Sequence, residues 1–196
     1  MESWSINGET LEFDAETHTY IFEGLILPSI TQILKVRFGN KYDGIRADVL
    51  ERAADRGTAI HKAIENFVTE GLDDKSDEVR GYKFLADRYH FTALESEIPV
   101  VLHLAGEPIA AGRLDLILKF VQAVAVADIK TTSTLDKEYL AYQLNLYRIA
   151  YQQTYNKAIN ELYGIHLRGD KRKLVQIPIN EQRAWELVKE YRKETE

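Results

Sequence analysis

The spacing of apolar residues changes along the chain, and each change predicts an element. Near the N-terminus, Asn7-Gly8 separates two short apolar stretches, and this dipeptide tolerates the positive φ angles of a two-residue hairpin turn. Residues 17–22 alternate as a strand ahead of Gly24. Pro28-Ser29 opens a new element, with Ser29 as N-cap of a helix reaching Val36, and 38–43 form a loop around Gly39 and Asn40. From 45 to 70 the apolar positions Val49, Ala53, Ile60, Ile64, Phe67 and Val68 recur at helical spacing. Gly57 is expected to split this stretch into two helices and Gly71 to end it. A further helix over 77–90 carries Val79, Tyr82, Phe84, Leu85 and Tyr89.

Strand patterns then take over. Strands are predicted over 93–104, 109–120 and 121–130, the first two joined by a turn at Gly106-Glu107-Pro108. The third is apolar at successive positions from Ala123 to Ala127, as in a strand buried on both faces. A helix over 137–155, strands at 161–167 and 173–178, and a helix over 181–193 capped by Asn180 complete the chain. This order predicts an α/β (α+β) fold, with one central mixed sheet flanked by helices and a small β-rich N-terminal extension. The 196 residues suit one domain, divided into an extension (1–44), a core (45–178) and a C-terminal helix (179–196).

Composition removes several chemistries. With no cysteine there is no disulfide framework, thiolate zinc site, iron–sulfur cluster or cysteine nucleophile. The opening Met1-Glu2-Ser3-Trp4-Ser5 lacks the basic and apolar regions of a signal peptide, and no apolar run is long enough for a membrane helix. A soluble, cytoplasmic protein is expected. The formal net charge of −6 gives no average basic patch for a phosphate backbone, but a site that binds metal needs acidic residues of its own.

Four local patterns carry candidate chemistry. In Arg56-Gly57-Thr58-Ala59-Ile60-His61-Lys62-Ala63-Ile64-Glu65, His61 and Glu65 share one helical face. Ala111-Gly112-Arg113-Leu114-Asp115 places a carboxylate inside an apolar strand, which is costly unless it is paired or binds a metal; a pair with Arg113 is not expected. Asp128 and Lys130, around Ile129 and ahead of Thr131, share one face of a strand end. Gln143 and Tyr147 share one face of the following helix. Carboxylates are preferred ligands of magnesium and manganese, which lower the pKa of bound water and neutralise charge on phosphoryl oxygens. A lysine beside such a metal can position or deprotonate water, or stabilise the transition state.

Together, Gly-Thr-x-x-His-x-x-x-Glu, Gly-x-x-Asp, Asp-x-Lys-Thr and Gln-x-x-x-Tyr, spread from Arg56 to Tyr147, resemble the PD-(D/E)XK nuclease superfamily. The resemblance is to the branch with RecB-type nuclease domains and phage recombination exonucleases, and residues 27–34 look like the N-terminal segment of some phage members. It implies a restriction-endonuclease-like core and a magnesium- or manganese-dependent deoxyribonuclease, an exonuclease of recombination or repair. Asp115 and Asp128 would be the core metal ligands, completed by the Ile129 carbonyl, and Lys130 the catalytic lysine. His61 would be an additional ligand, with Glu65 near a second ion or its waters. Gln143 and Tyr147 would line the site and contact DNA or orient Lys130, while Arg56, Thr58 and Thr131 would meet the substrate. Relatives fastened by a four-cysteine iron–sulfur cluster are excluded. DNA, a recombinase or single-strand-binding protein, and further copies of the chain are the expected partners; no membrane is expected.

Each fragment alone has a plainer explanation. Asp-Ile-Lys is an ordinary strand end, His61 suits a helix surface, and Gln143 with Tyr147 suits an amphipathic helix. A nuclease-derived binding or regulatory protein without turnover is the alternative, and a metal-dependent hydrolase of RNA or another phosphoester is a third reading. Lys171-Arg172-Lys173 is either a DNA-guiding cluster or a solvated hairpin turn. His18, His90, His103 and His166 form no metal-spaced pair.

Overall fold

The computed structural model describes residues 1–195, apart from the Tyr42 side chain. The N-terminal chain is a four-stranded antiparallel meander, in the order β1 (Glu2–Ile6), β2 (Glu9–Asp14), β3 (Thr19–Phe22) and β4 (Leu25–Leu27). Two of its connections are two-residue turns with both residues at positive φ, Asn7 (53°) with Gly8 (90°) and Glu23 (48°) with Gly24 (81°). The first is the expected Asn-Gly hairpin. β4 was not expected, because three residues are too few for alternation to be legible. Helix α1 (Ile30–Phe38) follows at once, with Ser29 as its N-cap in a full capping box with Gln32.

Helix α2 (Ala47–Glu70) runs unbroken through Gly57, against the expectation of two helices. A mid-helix glycine costs about 1 kcal/mol, too little to interrupt a helix whose Ile60 and Ile64 are buried. Gly57 instead faces the loop after β7, and a Cβ built there would stand 3.5 Å from Thr131 Oγ1. Helix α3 (Asp77–Tyr89) is capped by Ser76. The main sheet has the order β5 (Thr92–Leu104), β6 (Glu107–Lys119), β7 (Val124–Lys130), β8 (Glu161–Arg168) and β9 (Lys171–Ile177). Only β7 and β8 are parallel, and α4 (Lys137–Tyr155) is the crossover that a parallel pair requires. α5 (Glu181–Thr195) closes the fold, its Arg183 N–H bonded to Asn180 Oδ1 as expected of that cap.

Some expected boundaries move. The β5–β6 turn is Ala105-Gly106, at φ 53° and 91°, so Glu107 and Pro108 belong to the strand. Residues 121–123 lie in the β6–β7 turn, where Phe120 N–H bonds Ala123 O, rather than in β7. Lys171, Arg172 and Lys173 open β9 instead of forming its hairpin turn.

Alternation along β7 divides the core. Val126 joins the cluster under α1, α4 and α5, while Ala125, Ala127 and Ile129 join the cluster under α2 and α3, so helices cover both faces of the sheet. Ile30, Ile33 and Leu34 bury α1 in the first cluster, which ties that helix to the core rather than to the extension. The meander has its own cluster, rooted on Val101 of β5 and Ala111 of β6. No helix among the described residues is long and apolar enough to cross a membrane.

The crossover helix seats directly on Gly164 of β8, where an added Cβ would overlap the Leu140 side chain. Gly164→Ala is expected to cost about 1–3 kcal/mol through overpacking, seen as a lowered thermal midpoint. An unchanged midpoint would show that α4 is not held this closely.

Candidate active site

The site forms where two paired strands part. β6 and β7 are paired as far as Leu116–Ala127. Asp115 and Asp128 hold the next opposed positions, and the Ile129 N–H donates to Asp115 Oδ2 at 2.6 Å. A side-chain carboxylate thus takes a donor that would otherwise be orphaned as the ladder ends. Beyond this fork β7 stays with β8 as far as Lys130, and β6 stays with β5. The edge of β6 that β7 has left receives the start of α1, with the Ala111 N–H bonded to Pro28 O at 3.0 Å.

The same register places a third carboxylate on this level. Between the pairs Ser96–Leu116 and Ile98–Leu114, Glu97 of β5 lies opposite Asp115. Glu97 has φ 51° in the middle of a strand, a left-handed conformation costly for a residue with a Cβ. Glu97, Asp115 and Asp128 therefore form a row across three adjacent strands. His61, Glu97 and Asp115 each offer one ligand atom within 4.8 Å of the others, a spacing suited to a metal ion.

Cationic groups answer the row. Lys130 Nζ lies 2.7 Å from Asp128 Oδ2, an ion pair, although no aligned hydrogen bond reaches that buried oxygen. His61, next to the buried Ile60 on α2, places Nδ1 3.4 Å from Asp115 Oδ2 and Nε2 3.0 Å from Ile129 O. Arg113 shares a β6 face with Asp115 but bonds Glu97 at 2.8 Å and Glu2 at 2.7 Å rather than Asp115.

These contacts set the titration of the metal-free site. Burial would lower the His61 imidazole, but the Asp115 charge and contact, aided by Asp128, push it up to about 9. Burial would raise Asp115, yet His61, Lys130 and the Ile129 N–H hold it below the usual range. Asp128 is pushed up to about 6 by burial and by Asp115, against Lys130 and His61. Burial would lower Lys130, and Asp128 with Asp115 more than restore its ammonium. Glu97 rises to about 7 through burial and the Asp115 charge, against Arg113 and His61.

The remaining expected residues divide. A cavity of about 350 Å³ is lined by Thr58, His61, Glu65, Asp115 and Tyr147 among the expected set, with Glu97 and Arg113. Glu65 bonds Lys62 at 3.0 Å. Tyr147 packs over Gly112, where an added Cβ would stand 3.0 Å from its ring, which explains the glycine of Gly-x-x-Asp. Asp128, Ile129 and Gln143 are buried and do not line the cavity, and Gln143 Oε1 has no hydrogen-bond partner. Half-buried Lys130 has its Nζ 5.8 Å from the Tyr139 ring centroid. Thr131 stands beside Gly57. Arg56 is not brought in; it bonds Glu78 of α3 at 2.6 Å.

The sequence reading missed Glu97 and Arg113. Glu97 shares the signal that singled out Asp115, a carboxylate beside an apolar strand segment, but its partner depends on register. Donors from the β8–β9 hairpin were also missed. His166, Arg168 and Lys171 bond the carbonyls of Thr132 (2.7 Å), Thr131 (3.1 Å) and Ser133 (2.7 Å), which pins the loop that follows Lys130.

No family model and no curated protein matches the chain. Among solved structures, it is similar to one titled "Crystal structure of SSO0001", with a TM-score of 0.50 and 16% identity over 84% of this chain and 74% of that one. The likeness concerns the fold, a mixed α+β arrangement with a five-stranded mixed sheet flanked by helices.

In metal-free protein, Glu97 keeps its proton to about pH 7 when folded, whereas an unfolded glutamate loses it near its ordinary value of 4.5. The folded state holds more protons between those values, so this group makes stability fall as pH rises through that window. Glu97→Gln is expected to raise the thermal midpoint in chelator at pH 8, with the gain vanishing towards pH 4. A pH-independent difference would contradict the assignment.

Proposed function

We propose that this protein is a metal-dependent nuclease of the PD-(D/E)XK type, hydrolysing phosphodiester bonds in DNA. One observation carries the reading: motifs on three elements, α2, β6 and β7, converge at the β6–β7 fork, with Asp115, Asp128, Lys130, His61 and the Ile129 carbonyl in one cluster.

The donor set fits magnesium or manganese, because it consists of carboxylate and carbonyl oxygens with one imidazole. A row of three carboxylates, Asp115 and Glu97 half-buried and Asp128 buried with an oxygen that receives no aligned hydrogen bond, favours a further cation. His61, Glu97 and Asp115 have the spacing to hold the ion, and Asp128 and the Ile129 carbonyl would complete the ligand set that the family resemblance implies. When bound, the ion would lower the pKa of water and neutralise phosphoryl charge.

The chain's own groups supply the rest. The His61 imidazolium faces Asp115 Oδ2 and Ile129 O, so serving as a ligand requires it to release a proton. Asp128 keeps Lys130 as an ammonium, suited to stabilising charge on a phosphate oxygen. Thr58 and Lys62, on the α2 wall of the cavity, are placed to meet the phosphate backbone. An exonuclease of recombination or repair in the cytoplasm of a bacterium or infected host fits this reading, with a recombinase or single-strand-binding protein as partner.

Purified protein with manganese or magnesium is expected to degrade linear DNA, and Asp128→Ala or Lys130→Ala to slow it by about 10²–10⁴-fold. Full activity in both variants would sink the proposal. Tight manganese binding without cleavage of DNA or RNA would favour the non-catalytic binding protein instead.

A further inference from the structure

The N-terminal meander contributes three rings to the site cavity. Phe13, His18 and Tyr20 line it together with Asp115 and the α2 residues His61 and Lys62. The rings form a connected wall. The Phe13 and Tyr20 centroids are 4.6 Å apart with planes tilted by 33°, and His18 meets Phe13 edge-on at 5.3 Å and 86°. The β2–β3 turn that presents His18 is held by Asp14, which accepts from the Glu16 N–H and the Thr17 hydroxyl, each at 2.9 Å. His18 itself adopts φ 53°, unfavourable for a residue with a Cβ, and its side chain is exposed at the cavity rim.

An exposed imidazole, His18, backed by the buried rings of Phe13 and Tyr20 and standing over a cavity that Asp115 also lines, suits a ligand with a planar ring at one end and a phosphate at the other. The cavity, about 350 Å³, is small enough to favour one nucleotide over a stretch of duplex. Bases in an intact duplex are stacked inside and offer no ring face to such a wall, whereas an unpaired base does.

We propose that His18, backed by Phe13 and Tyr20, forms a nucleobase subsite, which takes the unpaired base of the nucleotide whose phosphate reaches Asp115. The proposal rests on the nuclease reading for the identity of the phosphate, and its test is read without turnover. Phe13 and Tyr20 also build the meander core, so the informative variant is exposed His18→Ala.

The probe is a DNA oligonucleotide with 2-aminopurine in a single-stranded overhang, mixed with the full-length protein and calcium in place of magnesium. Stacking is expected to quench the probe, and His18→Ala to weaken its binding about 5-fold or more, the scale of losing one stacking partner. An abasic nucleotide at the same position should weaken binding similarly, and a fully paired probe should not be quenched. Equal binding of the abasic and normal strands, no quenching, or no binding at all overturns the subsite. Cleavage without quenching removes the subsite and leaves the nuclease reading standing. Quenching in a protein that cleaves nothing with manganese keeps the subsite and removes the nuclease reading.

Discussion

The hydrogen bond from the Ile129 N–H to Asp115 Oδ2 is the contact on which the rest of the site depends. Antiparallel strands that part leave backbone donors unpaired, and burying such a donor costs about 1–3 kcal/mol. Here the donor is taken by a carboxylate from the opposite strand, at 2.6 Å. The parting of β6 and β7 is stabilised at the level where Asp115 and Asp128 face each other. The same parting frees an edge of β6, and the Pro28–Ser29 segment bonds to it at Ala111. The meander is thereby drawn against the site, which is how residues near the N-terminus come to line a cavity with Asp115.

The second constraint is charge. Glu97, Asp115 and Asp128 fall on one level of three adjacent strands, with Asp128 buried and the other two half-buried at the cavity. Their repulsion is expressed unevenly. Asp115 stays ionised through His61, Lys130 and the Ile129 N–H, while Asp128 and Glu97 keep their protons more readily. His61 bridges Asp115 and Ile129 O, which brings positive charge to acceptors a metal ion would also use. A formal net charge of −6 is compatible with this site, since local pairing rather than the total decides what the cavity attracts.

Much of the scaffold was legible in the sequence because its signals are local. The Asn7-Gly8 turn, the Ser29 cap, the helical spacing from Ile60 to Val68, the continuous apolar run of β7 and the Asn180 cap each depend on neighbouring residues. Gly57 misled because a glycine is a weak break: its cost is small beside the cooperativity of a helix whose buried residues lie further along. The starts of β6 and β7 shifted by two or three residues because turn geometry, not composition, decides where pairing begins.

The site divides along the same line. By itself the sequence determined which residues are costly to bury without a partner: Asp115 between two leucines and Asp128 at the end of an apolar strand, with Lys130 two positions on along the same face. Only the tertiary structure decided that these residues share one fork, because the fork is set by where long-range pairing stops. Register alone placed Glu97 opposite Asp115, and packing alone turned Arg56 towards Glu78 and brought Phe13, His18 and Tyr20 to the cavity. Those contacts join residues far apart in the chain, and no local periodicity encodes which strand edges will meet.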